Sequence, residues 1–585
     1  MEKRRKLLAG AALAAGAFCV LTGLGGCGKK DGTGVYAQPL VVDVFDSVAN
    51  YQGIQPGWYA KIVKDKFNMD LNIIAPNVAG GGNTLYEVRS AAGDLGDLVI
   101  SNGDQDTVQD MVDAGLLLNM EPYLKDKELM RQYGDAIRRV NGDITPEGIY
   151  VIPSELSQNP PSVPQESLEP TFGPYLRWDL YGQLGYPAIH TLEDLLPVLR
   201  DMQEMEPLAE NGKKTYAFSF FKDWDGNMMT AAKQPCCFYG YDEFGFGLEK
   251  ADGSDFQSII DGDSLYVRTL KFFFDANQMG LVDPQSVTQN YGDVVQKYKE
   301  GQILFSPWPW MAQTEYNTLA HKEAGKGFML ADIGDMKIYS NGCNRNGNRK
   351  LVVGIGVQAK DPERLAAFID WLYSPDGISS SGVQSSAGTA GPRGLSWDYD
   401  KEGEPYLTEF GIQALLDGNM DVPQEWGGGS WSEGISRLNF MPVSPCEKDG
   451  GGHPYAYALW DSVAEMTDTA LDRDWKEHMG AGNVREFLTE NGRILVSAGC
   501  DFISPPESSE TGTLREQCRN VIQKYSWEMV FAKDEEEFYA LLWQMQEEAA
   551  SLGYWEVYAV DEENARMYRE ARKKALEEYK DDRGK

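Results

Sequence analysis

Between residues 41 and 114, short apolar runs alternate with segments of helical spacing, and that alternation leaves few architectures open. Val41-Val42-Asp43-Val44-Phe45 reads as a buried strand. Gly57 to Phe67 follows with Trp58, Ile62 and Val63 on one helical face, and Leu71 to Ala75 is a second strand. A helix around Thr84 to Ala92 precedes a Gly93–Gly96 turn into a third strand at Leu98-Val99-Ile100. Thr107 to Ala114 is helical and stops at Gly115. Strands alternating with helices call for a mostly parallel sheet covered on both faces. Ligands of such sheets bind beyond the carboxyl ends of the strands. Those ends are Asp46 to Gly57, Asn77 to Asn83 and Ser101 to Asp104, which makes Asp46 and Asn83 candidate polar contacts.

The start of the chain has its own pattern. Lys3, Arg4, Arg5 and Lys6 precede an apolar run from Leu7 to Leu24 that ends in Leu24-Gly25-Gly26-Cys27. A basic start, an apolar stretch and a small-residue cleavage point are the order of a secretory signal. The Cys behind two small residues resembles a bacterial lipoprotein signal, with cleavage before Cys27 and a diacylglycerol thioether on its sulfur. Two acyl chains suffice for stable anchoring. Residues 1–26 are then the signal, 27–39 the lipidated Cys and a flexible tether, and the rest lies outside the cytoplasm, on the outer face of the membrane.

With 585 residues, two large lobes or several domains are expected. Lys and Arg total 54 against 89 acids, a formal charge of −35, so the attraction to phosphate that nucleic-acid binding needs is missing. The His residues (His190, His321, His453, His478) have no zinc spacing, and no P-loop, G-x-S-x-G elbow or dinucleotide loop is present. Among cysteines beyond Cys27, zero to two bridges are expected, with Cys500–Cys518 across a Pro/Ser/Glu-rich loop as the first candidate.

Further along, a Pro-rich passage from Pro153 to Pro174 reads as a crossing between lobes. Helices are expected at Thr191–Met205, Val267–Asn277, Asp361–Tyr373, Glu535–Leu552 and Glu562–Lys580, with a loop over 500–513.

Five stretches carry a family resemblance. They are Ala92-Gly93-Asp94-Leu95-Gly96-Asp97-Leu98-Val99, Met111 to Leu117, Tyr175 to Pro187 with Thr191 to Leu195, Lys299 to Phe305, and Ala367 to Gly377. In order and spacing, behind the lipoprotein-like start, they resemble the extracellular solute-binding proteins of ATP-driven importers, the group that includes maltose-binding protein. Gly96 stands where that family's turn usually has Pro. The resemblance implies an α/β, two-lobed periplasmic-binding-protein-like (type II) fold. Each lobe is then a mostly parallel sheet flanked by helices, joined to the other by a hinge. Lobe 1 would hold 40–155 and a return segment 351–395; lobe 2 would hold 156–350 and most of 396–585. The implied role is capture of an oligosaccharide by lobe closure and delivery to ABC transporter permease subunits, by a monomer without catalysis. A ligand sensor, or a binder of a non-sugar solute, would share the fold. A surface glycan hydrolase would need two carboxylates about 5–10 Å apart across the scissile bond; with 89 acids such pairs can always be proposed.

A sugar offers apolar C–H faces, which aromatic rings cover, and hydroxyls, which polar side chains pair. Several Trp stand in Gly- and Asp-rich contexts rather than apolar ones, and rank as cleft candidates in the order Trp224, Trp308, Trp310, Trp431, Trp58 and Trp426. Arg177 and Asp179 read as an ion pair that fixes Trp178.

Residues 398–409 nearly follow a twelve-residue EF-hand loop, with Asp398, Asp400, Glu402 and Glu409 at ligand positions and Gly403 at the turn. A charged hairpin explains the same residues, and no helix pattern enters the loop, so no resident metal or other cofactor is expected. Some relatives carry a calcium loop where this chain reads Glu206-Pro207-Leu208-Ala209-Glu210-Asn211-Gly212, which has lost most ligands.

Overall fold

The computed structural model describes residues 36–583 apart from 77, 79–82, 146, 384–387, 417–419 and 467. Cys27 and most of the tether lie outside the described residues, and so does the side chain of Asn83. Among the described residues no helix is long and apolar enough to cross a membrane.

Lobe 1 is built on six strands: β1 (Leu40–Asp46), β2 (Gly53–Ile54), β3 (Met69–Ile74), β4 (Leu98–Ser101), β5 (Ile152–Ser154) and β6 (Asn348–Ile355). Their order across the sheet is β2-β3-β1-β4-β6-β5. β1 runs parallel to both β3 and β4, with Val44 opposite Ile73 and Leu98. Parallel neighbours need a crossover, and the Gly57–Phe67 helix supplies it between β1 and β3. That helix buries Trp58, Tyr59, Ile62, Val63 and Phe67, carries Lys64 and Lys66 in its last turn, and ends on Asn68 in the left-handed region. β4 is buried at all four positions, which its continuous apolar run requires. Val42, Val44, Leu71, Ile73, Leu98 and Ile100 are all fully buried, each worth about 1.5–3 kcal/mol of transfer free energy.

The chain leaves lobe 1 after β5, builds lobe 2, and returns as β6 beside β5, with Ser154 opposite Asn348. That pairing puts the outgoing and returning crossings side by side. β6 is antiparallel to β4 and β5 because it enters the sheet from lobe 2.

Lobe 2 centres on the strand Tyr175–Arg177, flanked antiparallel by Phe305–Ser306 and Phe328–Leu330. Parallel pairings there are the two-stranded ladder of Ile338–Asn341 with Ile494–Ser497 and the single bridges of Tyr216 with Ile303 and Phe218 with Val282. Its core joins Phe218, Phe272 and Phe273 to Leu195, Leu199 and the long C-terminal helices. Arg177 is fully buried, pairs with Asp179 at 2.7 Å and Glu206 at 3.1 Å, and lies 4.6 Å from the Tyr316 ring centre. Trp178 is buried beside it, its indole N–H donating to Asp474 at 2.6 Å.

Expected helices form at Leu195–Met205, Leu265–Gln278, Pro362–Leu372 and Glu535–Ser551, and the last expected segment lies within Tyr554–Arg583. The 500–513 loop is shorter than expected, because Ser508 caps a helix over Ser509–Val530 by accepting from the Thr511 N–H. The largest departure concerns residues 396–463. From 396 onward the sequence places the chain mainly with lobe 2, but Val422, Trp431, Ile435 and Phe440 belong to the lobe 1 core. Trp397, Leu407, Trp460 and Val463 form a satellite cluster of their own. A third crossing follows, since Leu471 and Trp475 of the Ala470–Met479 helix are in the lobe 2 core.

The six cysteines of the folded part are free. Cys500 and Cys518 do not pair: Cys518 is buried in its helix against the carbonyls of Ala549 and Leu552, while Cys500 sits at the hinge.

Candidate ligand-binding cleft

A cleft of about 1130 Å³ opens between the lobes. One wall is Asn102 and Asp104, directly past the carboxyl end of β4, where such sheets place their ligands. Asp104 caps the next helix by accepting from the Thr107 N–H at 2.9 Å. The opposite wall is Trp310, Gln313 and Thr314 on the Pro309–Tyr316 helix of lobe 2. The crossings form the floor, with Glu155, Gln165 and Glu166 from the first and Asn341, Asn344 and Asn348 from the second. Glu155 adopts φ 53°, a left-handed backbone at the exit from β5 that costs a non-glycine residue about 1 kcal/mol or more. Its N–H is held by the Met441 carbonyl at 2.8 Å.

Trp224, Trp308 and Trp310 come together in lobe 2. Their ring centres are 6.0 Å (224 to 308), 6.0 Å (224 to 310) and 6.1 Å (308 to 310) apart. Trp308 is 9% exposed and forms the base, with Phe221 6.4 Å away. Trp224 and Trp310 are each 42% exposed and stand on that base. Pro309 at the first helical position fixes the turn that carries Trp310. The Trp224 loop is pinned by Asp225, which accepts from the Trp527 indole N–H at 2.7 Å and the Thr230 N–H at 2.8 Å. Burial raises the Asp225 carboxyl above its ordinary value. Of the three indoles, Trp310 lines the cleft itself.

The other ranked positions are elsewhere. Trp58 is 0% and Trp431 2% exposed, and they stack on each other in lobe 1 at 4.8 Å and 18°. The Trp58 indole N–H donates to the Trp431 carbonyl at 3.0 Å. Neither ring offers a face to a ligand. Trp426 packs half-buried against the same core, in a short helical turn beside the Gly57–Phe67 helix. Asp46 is fully buried, accepts from the Val48 and Asn439 N–H groups at 3.2 Å each, and is pushed up to about 6 by burial. It pins the 434–440 passage over the end of β1 and does not line the cleft. Asn83 opens the Asn83–Ala91 helix.

Residues 398–409 form the charged hairpin. Trp397–Tyr399 pairs antiparallel with Pro405–Leu407, Asp400 accepts from the Glu402 and Glu404 N–H groups, and Asp398 pairs with Arg393 at 2.8 Å. Glu409 starts a helix outside the turn. Among the described residues no group of three or more His, Cys, Asp or Glu is placed to hold a metal ion.

The floor residues were not singled out in the sequence. Their signal was the Pro-rich crossing itself, because a two-lobed protein must place its crossings under its cleft. Among the described side chains, the lining carries five carboxylates (Asp104, Glu155, Glu166, Glu169, Asp501) and no Lys or Arg. Most are engaged by neutral donors: Thr171 and Ser340 donate to Glu166, Gln165 to Glu155, and Tyr175 to Glu169. Burial pushes Glu169 up to about 7. Asp501 lies 3.4 Å from Arg139 of lobe 1, behind the hinge.

No protein-family profile and no curated protein matches the chain. Solved structures do. The alginate-binding protein AlgQ2, crystallised without calcium ion, superposes with a TM-score of 0.57 at 14% identity, over 92% of this chain and 100% of that one. The Streptococcus pneumoniae ABC-transporter substrate-binding protein FusA, in complex with kestose, gives 0.55 at 14%, over 90% and 99%. An HMO-binding, ABC-transporter-associated solute-binding protein from Bifidobacterium longum infantis gives 0.54 at 13%, over 91% and 99%. The fold of this chain is therefore the two-lobed fold of solute-binding proteins.

Proposed function

We propose that the protein is a lipid-anchored extracellular solute-binding protein. In this reading it captures a neutral oligosaccharide in the interlobe cleft and delivers it to the permease subunits of an ABC transporter. The carrying observation is the Trp224–Trp308–Trp310 cluster, with a partly exposed indole on the wall of a cleft whose floor is rich in amides and carboxylates. An indole face covers the C–H face of a sugar, and the Asn, Gln, Asp and Glu groups pair its hydroxyls. The basic start, apolar run and Leu-Gly-Gly-Cys27 ending support export and the anchor. Relatives in fold that bind kestose or HMO support a carbohydrate ligand.

Charge narrows the ligand. Among the described side chains, the lining has five carboxylates and no Lys or Arg, and so no cation to pair a uronate or sialate carboxylate. Closing such a cleft on an anionic sugar would bury like charges together. The deciding experiment is a thermal-shift panel of neutral, anionic and amino oligosaccharides. A ligand at one hundred times its dissociation constant stabilises by about 2.7 kcal/mol. The expected result is a raised melting point with one or more neutral oligosaccharides and none with uronate oligomers. A panel in which only anionic sugars shift the protein would overturn the charge argument, and one in which no sugar does would overturn the function.

A further inference from the structure

Cys343 and Cys446 are far apart in sequence, yet their Sγ atoms lie 2.9 Å apart at the hinge. Each is held there by its own chain. The Cys343 N–H donates to Val163 of the first crossing, and Gly342 before it donates to Ser497. Cys446 sits in a turn in which the Ser444 N–H donates to Leu156, and the neighbouring Glu447 accepts from Ser157, Gln158 and Asn159. The first crossing is thus gripped on one side by the Gly342–Cys343 segment and on the other by the Cys446 turn. Gly342 and Pro445, each adjacent in sequence to one of the cysteines, line the ligand cleft.

We infer that Cys343 and Cys446 are a redox pair whose disulfide staples the hinge beneath the cleft. The two sulfurs differ in a way that orders the reaction. Cys446 is partly exposed and Cys343 fully buried. The S–H of Cys343 lowers the Cys446 thiol below its ordinary value, with a smaller contribution from Ser444; the same contact, with burial, raises Cys343. Cys446 is therefore the entry point for an oxidant, and Cys343 the resolving thiol.

The oxidant is a disulfide, either a small-molecule one or one on an exported oxidoreductase. The Cys446 thiolate, its proton given to water, attacks one sulfur of that disulfide. A mixed disulfide forms and one thiolate leaves. Cys343 then loses its proton and displaces the second thiol. Two protein thiols and one disulfide become one protein disulfide and two thiols, with two electrons passed to the oxidant.

The bond closes a loop with a sequence separation of 103, which spans β6, the return helix and the whole 395–440 cover of lobe 1. It would fix the second crossing to the turn that already holds the first. An exported protein meets disulfides, and touching thiols there do not stay reduced. The capacity to form the bond requires only the geometry; its formation outside the cytoplasm and its control of ligand capture rest on the function proposed above. The test can therefore separate the two.

Purified protein is incubated with reduced or with oxidised glutathione, alkylated, and digested without reductant. The expected result is a peptide pair joined through Cys343 and Cys446 in the oxidised sample alone. Cys343→Ser should instead carry glutathione on Cys446. Adding dithiothreitol should lower the melting point of the oxidised wild type by a few degrees and leave that of the Cys343→Ser/Cys446→Ser double variant unchanged. Full alkylation of both cysteines after oxidised glutathione, in wild-type protein that still melts cooperatively, would overturn the inference whatever the sugar panel shows. A joined peptide in a protein that binds no sugar would leave the bond standing and remove only its link to capture.

Discussion

Trp431→Ala separates a core indole from a cleft indole. The ring is 2% exposed, stacks on Trp58 at 4.8 Å, and meets Phe410 edge-on at 5.8 Å. There is no slack around it: a Cβ added to Gly391 would come within 2.6 Å of the indole. Such a side chain buries about 150–250 Å². At roughly 25 cal/mol/Å² its transfer term is about 4–6 kcal/mol, an upper bound because the unfolded chain is not fully extended. Large-to-small series for Phe and Trp give about 3–5 kcal/mol. The hydrogen bond from Trp58 survives, because its acceptor is the Trp431 carbonyl. The expected loss is therefore about 4 kcal/mol, read from urea unfolding followed by far-ultraviolet circular dichroism, which does not depend on the deleted fluorophore. Below the unfolding transition, the sugar that shifts the wild type should still bind with unchanged affinity. A loss under about 1 kcal/mol, or intact stability with abolished binding, would refute the placement of this ring in the core.

Trp310→Ala should behave in the opposite way. With 42% of the residue exposed, a covering sugar would bury about 60–105 Å² of it, or roughly 1.5–2.5 kcal/mol, so calorimetry should read a tenfold to seventyfold loss of affinity with little change in melting point. Asp46 and Glu169 have folded-state values raised by burial from 3.8 to about 6 and from 4.5 to about 7. The fold therefore prefers their protonated forms, and their contribution is fully present below the unfolded values and lost as pH rises through about 6 and about 7. For Asp46 that is about 3 kcal/mol, and Glu169→Gln should flatten the fall in urea midpoint between mildly acidic and mildly basic buffers. Small-angle scattering at saturating sugar should show a smaller radius of gyration; an unchanged curve would count against lobe closure. Cys27→Ala should move the protein from the detergent phase to the aqueous phase on phase partition, and an unmoved variant would rule out the lipid anchor.

Much of lobe 1 was legible because its signals are local. The Gly57–Phe67 helix has its apolar spacing and basic last turn, and β4 has a continuous apolar run between two turns. The crossing was legible from its prolines. What misled was glycine. The stretch Gly427-Gly428-Gly429 next to Trp426 and Trp431 suggested a ligand loop. In the structure these residues have φ of 104°, 65° and 77° and fold the chain back over the Gly57–Phe67 helix, where Gly434 lies against the Trp58 indole. Close backbone packing and ligand approach both demand glycine, so composition alone cannot separate them. Trp308 and Trp310 differed in kind, because the Pro between them marks a helix start and not a wrapped loop. The lobe membership of 396–463 was illegible for another reason: it depends on contacts such as Gln55 to Ile435 at 3.0 Å, 380 residues apart, which leave no periodic trace.

The hinge chemistry bears on how closure is driven. Glu155, Glu166 and Glu169 on the floor already have protein donors, so moving the lobes neither frees nor orphans them. Behind the pivot, Arg139 of lobe 1 bridges Asp501 at 3.4 Å and Glu578 of the C-terminal helix at 2.9 Å. These pairs are partly solvated and worth little each. While Cys343 and Cys446 are reduced, these contacts supply no large bias of their own, and the equilibrium between lobe arrangements is left to whatever bridges the walls. A sugar stacked on Trp310 that also reaches Asn102 and Asp104 gains both sets of contacts only when the walls approach. That differential is the sole free energy a ligand can spend on closing the cleft. A ligand too short to span from one wall to the other should bind without compacting the protein, which makes chain length, more than sugar identity, the variable that closure reads.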